Sequence, residues 1–294
     1  MDRSIAFSSR QQAVLSTVTA FGNGRTLFLG FPGCSLPLAD AAVVAGADFQ
    51  EIAHGDLRAA LEKVKGKERT ILFVESVSQI TSEARDVAAD CAVCDEFGAW
   101  VVVDESAALG LSGLRGAGSS EVVPQHPALL ARISSLALTP GVDVTLIGAG
   151  AEFCELLERR SWYRQVDIPV SPIMCACGEA ALELVELGFH GRELLRARCR
   201  TVREHLALQG WSLKGNESSL FLTLSCPSLR HARALQARLL QRGIVVEALP
   251  LRGFRRSEAV VRVLLSTEHT DAHLEILLEG LGEIRKRGGD EPSA

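Results

Sequence analysis

The chain has 294 residues, with 31 Lys+Arg against 36 Asp+Glu for a formal charge of −5; 47% of its residues are hydrophobic and 23% charged. That balance describes a folded protein with a sizeable core, in one large or two medium domains, and excludes a disordered chain. The mildly acidic charge and an aromatic share of 5% with a single Tyr argue against nucleic acid as the main partner, because phosphates need a basic face and unpaired bases need stacking surfaces.

In chain order, Ile5–Ser8 and Thr26–Leu29 read as short strands, Leu36–Ala45 as a helix and Asp48–Ile52 as a strand. Asp56–Lys63 is amphipathic, with Leu57, Ala60, Leu61 and Val64 on one side. Arg69–Glu75 and Ala99–Asp104 are nearly continuous apolar runs, separated by a helix over Glu83–Phe97 that Gly98 ends. Strands of that kind, alternating with helices, predict a parallel sheet buried on both faces, an α/β doubly wound arrangement. Leu109–Gly118 is glycine-rich but lacks the Gly-Lys-Ser/Thr of a phosphate-binding P-loop, so it reads as a plain loop. Ile133–Leu138 and Val144–Ile147 are further strands; Glu152–Arg160, Gly178–Gly188 and Gly191–Gln209 are helical. The last third changes character: strands at Leu220–Ser225, Ile244–Ala248 and Val260–Ser266, helices at Leu229–Arg242 and Asp271–Arg287. This predicts a large α/β domain over residues 1–180 and a small α+β domain with a partly antiparallel sheet over 181–294.

No apolar run reaches the roughly 20 residues of a membrane-spanning helix, and the Met-Asp-Arg-Ser start has no signal-peptide pattern, so a cytoplasmic location is expected. Eight cysteines include Cys91 and Cys94 as CxxC and Cys175 and Cys177 as CxC. Neither pair has His partners at zinc-site spacing, and Val87, Cys91 and Cys94 share a helix face, so no metal is expected and free cysteines acting as small apolar residues are. Glu75 and Asp104 end adjacent apolar strands, the place where sheets of this class put their sites. Taken singly, either carboxylate could equally cap a loop.

In combination the residues go further. Glu75-Ser-Val, a helix, and then Val103-Asp-Glu-Ser-Ala-Ala-Leu-Gly-Leu-Ser-Gly-Leu-Arg-Gly-Ala-Gly118 resemble the α-oxoamine synthases, pyridoxal-phosphate (PLP) enzymes of fold type I. His54-Gly-Asp-Leu57 resembles that family's His-Asn-Asp-Leu, and Val261-Arg-Val-Leu-Leu-Ser-Thr-Glu-His-Thr270 its C-terminal strand and His-Thr turn. The matches are ordered along nearly the whole chain. PLP chemistry needs a lysine for the Schiff base and an acid to keep the pyridine nitrogen protonated. The resemblance implies that Asp104 is the pyridinium-pairing acid and Arg262 the arginine that holds an amino-acid carboxylate. It places Ala107 and Ser35, the latter within Gly33-Cys-Ser-Leu-Pro37, at the two family histidine positions. It also makes Phe7-Ser-Ser-Arg-Gln-Gln a phosphate-contacting turn, weakened because Arg10 replaces a glycine.

The lysine is missing. Ser135-Leu-Ala-Leu-Thr-Pro-Gly-Val-Asp-Val-Thr-Leu-Ile-Gly148 is the matching segment, with Leu138 at the Schiff-base position, and no Lys occurs between Lys67 and Lys214. No residue of this chain is therefore expected to be catalytic, and no covalent PLP is expected. Glu105-Ser106 and the C-terminal run resemble the lysine-lacking subunit 1 branch of serine palmitoyltransferase, which pairs with a catalytic homologue to condense serine with palmitoyl-CoA. The resemblance thus implies a non-catalytic subunit of a heterodimer, or a homodimer. It also implies a large domain that is N-terminally incomplete, and contact with the cytosolic face of the endoplasmic reticulum only through a partner. A regulatory or scaffolding pseudoenzyme, and an active α-oxoamine synthase of another branch, are the alternatives.

Overall fold

The computed structural model describes residues 3–22, 24–32, 37–53, 55–64, 69–123, 125–161, 163, 165, 169–215, 221–251 and 258–287. They form two compact units, Met1–Gln79 with Arg85–Phe189, and Ile80–Ala84 with His190–Ala294.

The first unit is built on a seven-stranded sheet in the order β1-β7-β6-β5-β4-β2-β3. The strands are β1 (Arg3–Phe7), β2 (Thr26–Gly30), β3 (Asp48–Glu51), β4 (Arg69–Glu75), β5 (Trp100–Asp104), β6 (Leu129–Ser135) and β7 (Thr145–Ala149). β3, β2, β4, β5 and β6 run parallel, while β7 is antiparallel to both β6 and β1. The mostly parallel sheet expected from the apolar runs is present. Alternate residues along each strand feed opposite faces. Ile71 and Phe73 of β4 and Val102 of β5 join a core with α1 (Arg10–Phe21), α2 (Pro37–Ala45) and α5 (Ala151–Arg160). Leu72, Val74, Val101 and Val103 pack on the other side with α3 (Leu57–Lys63) and α4 (Val87–Glu96). Cys91 and Cys94 belong to that second core, and burial pushes their thiols up to about 11 and about 12. They behave as the small apolar residues expected of them. Cys175 and Cys177 differ: they are exposed on α6 (Pro172–Leu187).

Two departures from the sequence reading have clear causes. α1 leaves no apolar period because its residue types do not sort by face: polar Ser16 and Thr17 are buried with Ala13, Val14, Val18, Ala20 and Phe21, while apolar Leu15 is only half-buried. Ser9 caps it, accepting from Gln12 N at 3.2 Å. β6 starts four residues earlier than expected and stops at Ser135, so Leu138 lies in a turn. Arg132 interrupts the apolar run in sequence, yet it sits in the strand with its charge met by Glu105.

The second unit holds a four-stranded sheet in the order β10-β11-β9-β8, in which every pairing is antiparallel. Its strands are β8 (Leu213–Lys214), β9 (Leu222–Cys226), β10 (Glu247–Pro250) and β11 (Ala259–Val263). β10 begins three residues later than expected and ends on Pro250, which an edge strand tolerates. α7 (Phe189–Leu208), α8 (Leu229–Leu240) and α9 (Asp271–Arg287) supply Val202, Leu206, Leu235, Leu239, Leu277 and Leu281 to one core against β9 and β11. No described helix is long and apolar enough to cross a membrane.

Candidate active site

The parallel register makes Glu75 at the end of β4 the direct neighbour of Asp104 at the end of β5. Two reversals, β6 to β7 and β7 to β1, point β1 the same way as β5. β1 therefore delivers Ser8, Ser9 and Arg10 to the sheet end that carries the two carboxylates. Arg10 is the first residue of α1, a place where the helix dipole disfavours a cation. The carboxylates offset that penalty. Arg10 Nε donates to Asp104 Oδ2 at 2.6 Å, and Arg10 Nη2 donates to Glu75 Oε1 at 2.7 Å. The Arg10 side chain is 15% exposed and each carboxylate 6%, so these charge-assisted bonds are little screened by water.

The remaining carboxylate oxygens are also served. Asp104 Oδ1 accepts from Ser106 N at 2.9 Å, and Glu75 Oε2 accepts from Gln79 N at 3.3 Å. Burial pushes the Glu75 carboxyl up from 4.5 to about 7; Arg10 opposes the rise and the neighbouring Asp104 adds to it. Because the folded value is raised, the folded chain binds more protons here than the unfolded chain between about pH 4.5 and 7. The contribution of Glu75 to stability is thus greatest below that window and falls as pH rises through it. Glu75→Gln is expected to flatten this part of the stability profile. Urea midpoints at half-unit steps from pH 4.5 to 8 check it; an unchanged slope in the variant would place the titration elsewhere.

Beyond Asp104 the chain turns through Glu105, Ser106 and Ala107, all buried. Glu105 pairs with Arg132 Nη1 at 2.7 Å and accepts from Ser76 Oγ at 2.7 Å and Ser119 N at 3.1 Å. Its carboxylate fills the space beside Gly118, where a Cβ would lie 2.5 Å from Glu105 Oε2 and where φ is +68°. Only glycine suits both conditions. Ser135 N donates to Ser106 Oγ at 3.1 Å, tying the end of β6, ahead of Leu138, to the turn that carries Ala107.

The sequence-predicted residues fall as follows. Asp104, Ala107 and Leu138 share the first unit, Asp104 and Ala107 buried and Leu138 half-buried in its turn. Ser35 and His54 lie outside the described residues. Arg262 is in β11 of the second unit, where Nε donates to Glu247 Oε2 at 2.8 Å, Nη2 reaches the same oxygen, and the guanidinium lies over the Phe221 ring at 5.9 Å. Sequence reasoning missed two arginines. The family resemblance makes Arg10 part of a weakened phosphate turn, yet it bridges Glu75 and Asp104. Arg132 is the partner of Glu105, its one sequence signal being a charge inside an apolar strand.

These residues do not fit pyridoxal phosphate as a resident group. A protonated pyridine nitrogen needs a carboxylate that no other cation occupies, and covalent attachment of the ring needs a lysine amine. Here Glu75 and Asp104 both receive Arg10, and the five lysines of the chain are Lys63, Lys65, Lys67, Lys214 and Lys286. No chemical step is therefore assigned to this site.

No protein-family model matches the chain. The 8-amino-7-oxononanoate synthase of Stutzerimonas stutzeri (strain A1501) is 32% identical over 292 residues, covering 96% of this chain and 72% of that protein. Among solved structures, a serine palmitoyltransferase variant from S. paucimobilis with bound PLP–myriocin aldimine superposes with a TM-score of 0.91 at 17% identity, covering 98% of this chain and 74% of that one. An 8-amino-7-oxononanoate synthase from Francisella tularensis gives a TM-score of 0.84 at 17% identity, covering 98% and 84%. At such identities the structures establish the fold alone. With the sequence similarity running through 96% of its length, this chain belongs to the α-oxoamine synthase family of pyridoxal-phosphate-dependent transferases and carries their fold type I.

Proposed function

We propose that this chain is a non-catalytic member of its family that serves as partner to a lysine-bearing homologue. The observation that carries the reading is the loss of the Schiff-base lysine: Leu138 stands at the matching position, and no lysine occurs from residue 68 to residue 213. Leu138 offers neither nucleophile nor charge, so acyl transfer would have to run in the partner's site. In this reading pyridoxal phosphate is the partner's cofactor, this chain holds none covalently, and any membrane contact comes through the partner.

Two kinds of partner are open. Glu105-Ser106 and the C-terminal run favour the serine palmitoyltransferase type, with this chain as a subunit 1-like component of sphingolipid synthesis. The 32% identity to an 8-amino-7-oxononanoate synthase favours a partner of that second type. Co-expression with each lysine-bearing homologue from the same genome separates them. One arm measures CoA release from serine and palmitoyl-CoA, the other formation of 8-amino-7-oxononanoate. The chain alone is expected to be inactive in both, and one homologue is expected to co-purify with it and gain turnover. Co-purification without any gain would favour a regulatory or scaffolding role. A homologue equally active without this chain, and not retained by it, would sink the reading.

A further inference from the structure

The arrangement around Arg10 is more than a damaged cofactor contact. A pyridinium would offer Asp104 one N–H on a positive ring. Arg10 already offers Asp104 Oδ2 an N–H at 2.6 Å, offers Glu75 Oε1 another at 2.7 Å, and holds its charge at every accessible pH. With Ser106 N on Asp104 Oδ1 and Gln79 N on Glu75 Oε2, all four carboxylate oxygens have a donor from the chain itself. A second cation entering here would have to compete with the guanidinium for the same two carboxylates. Expelling Arg10 would leave two neighbouring buried carboxylates to share a single positive group.

We propose that the Arg10 guanidinium is a built-in occupant of the cofactor berth, standing in for the pyridinium against Asp104 and closing this chain to pyridoxal phosphate, bound covalently or not. The site is then held together by an internal ion pair at the place where a family member with its cofactor is held by the ligand. This goes beyond the partnership proposed above and does not depend on it. A chain that fails to activate any homologue would still be closed to the cofactor, and a chain that activates one would not need to bind it.

The test uses pyridoxal phosphate itself as probe on the full chain. Equilibrium dialysis of the native protein is expected to show no saturable retention. Leu138→Lys and the double variant Arg10→Gly/Leu138→Lys are then incubated with excess pyridoxal phosphate, reduced with borohydride and mapped by peptide mass. Adducts at exposed Lys63 give the background. The single variant is expected to stay at background at position 138 and the double variant to exceed it by about tenfold or more. Saturable retention by the native chain overturns the proposal. So does trapping by the single variant equal to that of the double, or trapping at position 138 by neither. Circular dichroism checks that each variant folds. If the double variant does not, native dialysis and the single variant decide between the same outcomes.

Discussion

Arg10→Ala is expected to destabilise the first unit by about 3–5 kcal/mol above pH 7, the cost of leaving buried charge without its counter-ion. The two bonds of 2.6 and 2.7 Å hold together two carboxylates that the sheet register forces side by side. Without the guanidinium, Asp104 and Glu75 repel each other in a site that excludes most water. Protonation of Glu75 is the available escape. Its carboxyl already titrates near 7 with Arg10 in place, and removing the cation raises it further. The loss is therefore expected to be smaller at pH 5, where one member of the pair is neutral, than at pH 8. Urea midpoints at both values check this. A variant equally destabilised at both would mean that Arg10 acts through packing of its stem rather than through charge.

Arg132→Met is expected to cost a similar 3–5 kcal/mol, for a related reason. Arg132 and Glu105 are both buried, pair at 2.7 Å, and join β6 to the turn after β5. Arg132 Nη2 also donates to the Val123 carbonyl, fastening the segment that leads into β6. Removing the arginine leaves the buried Glu105 without its counter-ion, with Ser76 and Ser119 as its remaining donors among the described residues. Glu105→Leu combined with Arg132→Met is expected to be less destabilised than the sum of the single variants, by about 2 kcal/mol, because the second change removes the charge that the first had stranded. A double-mutant cycle measures that coupling. Strict additivity would show that the pair contributes geometry and no electrostatic stabilisation.

How much of this could be read from the chain varies with the kind of information involved. The parallel strands β4 and β5 were plain because apolar residues fill both faces, a pattern that local composition reports directly. α1 is hidden because its buried face includes the polar Ser16 and Thr17 while Leu15 is half-buried, so polar and apolar residues do not alternate at a helical period. β6 was displaced because a charged residue inside a strand looks like an interruption until its partner is known. At the site, Asp104 and Glu75 could be named as strand-end carboxylates, and the absence of lysine at position 138 is a fact of the sequence alone.

The family pattern, the succession of buried strands and the absence of lysine from residue 68 to residue 213 are legible in the chain alone, because each is a property of residue type and local order. The role of Arg10 emerges only from long-range contacts. Residue 10 is 65 positions from Glu75 and 94 from Asp104. Nothing local in Phe7-Ser-Ser-Arg-Gln-Gln indicates that its charge has partners. The two antiparallel pairings at the sheet edge bring the end of β1 to the ends of β4 and β5, and there a guanidinium finds two buried carboxylates whose charge must be neutralised nearby. A charge with no visible partner in the sequence becomes, in the fold, the counter-ion of two buried carboxylates.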